Sequence, residues 1–158
     1  MPGFEIMAII AVDFDGTCVT HEYPRIGKDI GAAPVLRKLV ENGHHLILYT
    51  MRGHFMDDKE YDHSNVRNPD DEYSEAPSCD ALQEAVDWFD RNNIPLWHVN
   101  ENPEQKKWTS SQKLYANCFI DDAALGVPLI RNPEMSKRPY VDWVAVEALL
   151  KEKGWIRE

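Results

Sequence analysis

The sequence has no apolar run long enough to cross a membrane. The run at residues 7–12 breaks at Asp13, whereas a helical span needs about 20 apolar residues. No basic segment precedes that run and no small-residue cleavage site follows it, so no secretory leader is predicted. Cysteine is scarce. Cys18, Cys79 and Cys118 are odd in number, widely spaced and form no CxxC pair. They support neither a disulfide framework nor a zinc knuckle, and a reducing cytoplasm is the expected compartment. Basic residues are few as well: 17 Lys and Arg stand against 27 Asp and Glu, a formal net charge of −10. That balance argues against a nucleic-acid partner, whose phosphates call for an excess of cations. Internal repeats, low-complexity tracts and domain linkers are absent too.

What is present is ordinary globular material. A chain of 158 residues, 43% of them hydrophobic, predicts one domain over 1–158 that buries a core without staples. Residues 7–12 read as a strand buried on both faces. Residues 33–42 read as a helix with Val35, Leu36, Leu39 and Val40 on one face, closed by a left-handed Gly43. A second strand follows at 46–49. Residues 53–79 carry eight acids and two bases without periodicity, which predicts an acidic mobile loop or lid. Asp80 then caps a helix, with Gln83 as its capping-box partner and Leu82, Ala85, Val86 and Phe89 as its stripe. A third strand at 96–99, a short helix at 111–115, a fourth strand at 118–120 and a short fifth at 127–130 follow. Asp142 caps a last helix with Trp143, Val146, Leu149 and Leu150 on its face. Alternating strands and helices predict an α/β fold with a mainly parallel sheet.

The chemistry gathers at strand ends. Asp13 and Asp15 sit two residues apart where the first strand stops, and Gly16 lets the backbone turn there. Thr50 follows the second strand, with Arg52 two residues on. Asp121 and Asp122 follow the fourth strand. Right-handed crossovers allow the first strand to lie between the second and fourth, and carboxyl ends of parallel strands are where open α/β sheets place ligands. Four carboxylates in one crevice need a positive partner. Oxygen-only ligation suits Mg²⁺, and Lys113 adds a fixed charge. A metal, a lysine and a hydroxyl around a carboxylate describe a phosphoryl site.

These residues resemble the haloacid dehalogenase superfamily of Mg²⁺-dependent phosphohydrolases. Asp13-Phe14-Asp15-Gly16-Thr17 matches its DxDGT motif, Thr50 its second motif, Lys113 its lone lysine and Asp121-Asp122 its acidic pair. The resemblance runs from about Met7 to Gly126. It implies a Rossmann-like three-layer α/β/α sandwich of the small capless branch, with 18–31 as a hairpin flap and the site open or covered by self-association. It further implies Asp13 as nucleophile and Asp15 as general acid and base, with a pKa above that of Asp13. Mg²⁺ would be held by Asp13, the Asp15 carbonyl, Asp121 and Asp122, and phosphate by Thr50 and Lys113. Lys106 and Lys107 compete with Lys113 for that role.

The implied activity is hydrolysis of a phosphate monoester, a small phosphorylated metabolite, through an aspartyl-phosphate. A nucleotide or nucleic-acid-end phosphatase and an inactive phosphate- and Mg²⁺-binding module are the alternatives. Plainer readings stand beside each residue. Thr50 is alternatively a strand-end hydroxyl bonded to backbone, and Lys113 an exposed helical lysine. Arg52 either steers a substrate phosphate or pairs with the acidic segment at 53–79. His21, His54 and His63 read as surface histidines, matching no zinc spacing.

Overall fold

The computed structural model describes residues 6–54 and 80–157. The acidic lid expected over 53–79, together with Cys79 and His63, lies almost entirely outside the described residues. Four short strands form the central sheet: β1 (Ile9–Val12), β2 (His45–Leu48), β3 (His98–Val99) and β4 (Cys118–Ile120). Their order is β3-β2-β1-β4 and every pairing is parallel. Among the described residues three helices complete the α/β fold: α1 (Ala32–Glu41), α2 (Ala81–Arg91) and α3 (Trp143–Glu152). β1 lies between β2 and β4, an order the crossover rule allows. Among the described residues no helix is long and apolar enough to cross a membrane.

The two faces of the sheet are covered differently. Side chains alternate along a strand, and Ile10, Val12, Leu46, Leu48 and Ile120 join one core with the buried faces of α1, α2 and α3. Ala11 and Ile47 point the other way and pack with Leu114. That second face is covered by the connection between β3 and β4, which holds only a 3-10 turn (Gln105–Lys107). The helix predicted at 111–115 does not form; Gln105 and Asn102 hold that stretch through backbone bonds instead. Among the described residues, then, the helices line one face where the sequence predicted layers on both.

Side-chain caps explain the starts of α2 and α3. The Asp80 carboxylate accepts the Gln83 backbone N–H. The reciprocal half of the predicted box is missing, because the Gln83 amide turns along the helix to Asp87, 2.8 Å away. Asp142 accepts two N–H groups and starts α3 as expected. Leu149 is not part of the α3 core face; it is about half exposed, while Trp143, Val146 and Leu150 are buried. The predicted fifth strand is β5 (Leu129–Ile130), paired antiparallel with a strand the sequence did not signal, β6 (Tyr140–Val141). This ribbon is tied to the β1 loop by the Val141 N–H, which donates to the Gly16 carbonyl at 3.0 Å.

Candidate metal and phosphoryl site

Register brings the motif residues to one level. Val12 pairs with Leu48 on one side and Ile120 on the other, so Asp13, Tyr49 and Asp121 leave the sheet side by side. The Asp13 N–H donates to the Ile120 carbonyl (2.9 Å) and the Tyr49 N–H to the Val12 carbonyl (2.8 Å). The chain after Asp13 then makes a tight turn in which the N–H groups of Thr17 and Cys18 both point to the Phe14 carbonyl. Gly16 has φ +81°, and a Cβ there would collide with the His21 imidazole and the Asp122 carboxylate. Glycine is required at that point by both backbone and space.

Asp13, Asp121 and Asp122 each offer a carboxylate oxygen within 4.8 Å of the others. The buried Thr17 hydroxyl stands between two of them, 3.0 Å from Asp13 Oδ2 and 3.2 Å from Asp122 Oδ1, and accepts the Asp122 N–H at 3.0 Å. One hydroxyl proton serves one carboxylate at a time. His21 Nε2 donates to Asp122 Oδ2 at 2.8 Å. The protein alone balances this charge with a proton. Burial, a hydrogen bond to Asp122 and the charge of Asp121 push the Asp13 pKa up to about 8. Burial works in the same sense on Asp122, but its hydrogen bonds with His21 and Asp13 outweigh it and hold Asp122 below the ordinary carboxylate range. Three hard oxygen donors with a crowded negative charge fit a divalent cation of the Mg²⁺ or Ca²⁺ kind.

Asp15 goes elsewhere. Its two oxygens accept from Arg52 Nε and Nη2, each at 2.8 Å. The remaining Arg52 N–H groups reach the carbonyls of Pro24, Arg25 and Ala81. The guanidinium also lies between the Phe14 and Tyr23 rings, 5.0 and 5.2 Å from their centres. Arg52 is 3% exposed, and all five of its donors are used. This corrects its assignment as a phosphate ligand: it carries no free N–H to offer. The expectation that Asp15 is the proton-holding carboxyl also meets a different arrangement. Asp15 is ion-paired, and the raised proton affinity belongs to Asp13.

Thr50 sits at the predicted place. Its hydroxyl accepts the Arg52 N–H at 3.1 Å and its own N–H donates to Asn100 Oδ1 at 2.8 Å. An accepting hydroxyl keeps its proton free to donate. Lys113 is not brought to the acidic cluster by any contact. Its backbone bonds Ser111 and Gln105, and its side chain is exposed and makes no ion pair among the described residues. Lys106 instead faces Glu101 at 3.9 Å. Three site residues take roles the sequence did not assign: Thr17, named only as the end of the DxDGT motif; His21, which is not the surface histidine expected but is largely buried against Asp122; and Asn100. Thr17 and His21 fall in the irregular stretch after Asp15, where no periodicity marks a direction. Asn100 carried one usable signal, a polar residue directly after a strand.

No protein-family model matches the chain, and no curated protein matches it. Among solved structures, it is similar to a conserved protein from Bacteroides thetaiotaomicron, with a TM-score of 0.62 and 29% identity over 94% of this chain and 93% of that one. The likeness spans the whole α/β fold and attaches no activity to it.

Proposed function

We propose that the chain is a Mg²⁺-dependent phosphatase of the haloacid dehalogenase type, acting on a small phosphate monoester. The observation that carries the reading is the meeting of Asp13, Asp121 and Asp122 at the carboxyl ends of adjacent parallel strands. The same proposal carries the Rossmann-like, capless assignment and a cytoplasmic setting, the latter on the scarcity of cysteine. The acidic balance favours a small-molecule substrate over a nucleic acid.

The Asp13 carboxylate attacks phosphorus in line, forming an aspartyl-phosphate as the bond to the ester oxygen breaks. Asp15 gives the departing oxygen a proton, then takes one from the water that attacks the aspartyl-phosphate, releasing phosphate and restoring Asp13. To do so, Asp15 first gives up one of its two Arg52 bonds and takes up a proton, which the attack of water on the aspartyl-phosphate later returns to it. The Thr50 hydroxyl, whose proton is free, holds a phosphoryl oxygen. When bound by Asp13, Asp121 and Asp122, Mg²⁺ supplies positive charge that keeps Asp13 ionised and offsets the phosphoryl charge. His21 and Thr17 orient Asp122 for that task.

The test is phosphate release from an aryl phosphate with and without Mg²⁺, for wild type and Asp13→Asn. Mg²⁺-dependent release that the substitution removes supports the reading; equal rates in both proteins refute it. A second reading, a binding module without turnover, is favoured by one observation: both Asp15 oxygens are engaged by Arg52. Mg²⁺ binding without release across a panel of phosphate esters would select it.

A further inference from the structure

We infer that the cavity at the carboxyl end of β3 receives a neutral, hydroxyl-rich group, the sugar or alditol portion of a phosphate ester. The inference rests on the phosphatase reading and names its substrate class. The cavity holds about 270 Å³, close to the lower end of small-ligand pockets. Asn100 joins it to the site. Its N–H donates to the Leu48 carbonyl at 2.8 Å, and its side-chain oxygen accepts the Thr50 N–H. β3 lies two strands from β1, and at about 4.8 Å per strand the cavity is roughly 10 Å from the Asp13 end. A phosphate carrying a short carbon chain covers that distance.

The lining decides the chemistry. Thr109, Ser110, Ser111 and Gln112 contribute three hydroxyls and an amide, and among the described residues Leu114 is the sole apolar side chain of the lining. Among the described residues no aromatic ring lines the cavity, so they offer a nucleobase nothing to stack on. One leucine is too little for an acyl chain. Glu101 and Lys106 face each other at 3.9 Å and cancel, so a second anionic group finds no net attraction. Two of the hydroxyls are also held in place before any ligand arrives. Thr109 Oγ1 accepts the Ser111 N–H and Ser111 Oγ accepts the Lys113 N–H, which leaves each of the two a proton to donate. Buried Gln105 fixes the loop by donating to the Ser111 and Lys113 carbonyls and accepting the Tyr115 N–H. A wall held in this way loses little freedom on binding.

Two readouts on the full chain test the cavity. Saturation-transfer NMR with a free hexitol and with adenosine, each at millimolar concentration, is compared for wild type and Ser110→Leu, which fills the cavity. Transfer to the hexitol alone, lost in the variant, is the expected result; equal transfer to adenosine, or hexitol transfer that survives filling, overturns it. The second readout is the ratio of kcat/KM for a hexitol phosphate to that for an aryl phosphate within each protein, which cancels any loss of folded enzyme. The ratio falls about tenfold in Ser110→Leu and in the same direction in Gln112→Ala; an unmoved ratio overturns the inference. An aryl phosphate left intact by wild type defeats the phosphatase reading instead, and the NMR result then decides the cavity alone.

Discussion

Asp13 and Asp15 are two residues apart on one loop, yet their surroundings are opposite. Asp13 faces two more carboxylates and keeps a proton up to about pH 8. Asp15 faces a buried guanidinium that engages both of its oxygens. The protein has thus answered one negative charge from within and left the other for something outside. A closed ion pair binds segments together: Arg52 joins the β1 loop, the carbonyls of Pro24 and Arg25, and the first turn of α2. An unanswered acidic cluster does the reverse, costing stability until a cation arrives.

Substitution separates the two roles. Asp13→Asn should lower phosphate release by at least about a thousandfold, measured on an aryl phosphate with saturating Mg²⁺. Retention of more than a tenth of the rate would make Asp13 a ligand at most. Arg52→Met should cost about 3–5 kcal/mol, because it leaves Asp15 without a partner, read as a fall of roughly 10 °C or more in Tm. Combining it with Asp15→Asn should recover much of that loss; no recovery would place the effect in packing against Phe14 and Tyr23. His21→Ala should weaken Mg²⁺ affinity about 10- to 100-fold through the loosened Asp122, read from a titration of the metal-induced rise in Tm.

The smallest effect is in pH. The Asp13 carboxyl moves from 3.8 to about 8 on folding, so its contribution to stability is whole below 3.8 and is lost as pH rises through 8. In metal-free buffer, Asp13→Asn should therefore gain on wild type steadily as pH rises across that window, read as the difference in Tm against pH. Mg²⁺ should raise the wild-type Tm most at the alkaline end, where the carboxyl is ionised. A flat difference across the window would contradict the proton assignment.

Strand placement was legible because a strand buried on both faces must be apolar for several residues and then stop. β1 announces itself that way; β4, at the sheet edge with Phe119 exposed, shows only as a short apolar run, and the acids that follow both strands mark the site. Arg52 shows where such reading fails. Its position after β2 was visible, but its direction was not, since five carbonyl and carboxylate acceptors drawn from three separate segments decide it. Lys113 fails for a related reason: the helix that was to carry it gives way to loop bonds from Gln105 and Asn102. β6 escaped notice because two residues between turns offer no period to detect.

Trp143, at the start of α3, donates its indole N–H to the Thr17 carbonyl at 2.6 Å, out of solvent. A chromophore is therefore wired to the loop that grips Asp13 and Asp122. A rearrangement of that loop would alter the polarity felt by this one of the five tryptophans, so the part of the emission change on adding a divalent cation that Trp143→Phe removes would be a label-free optical record of occupancy at the proposed site.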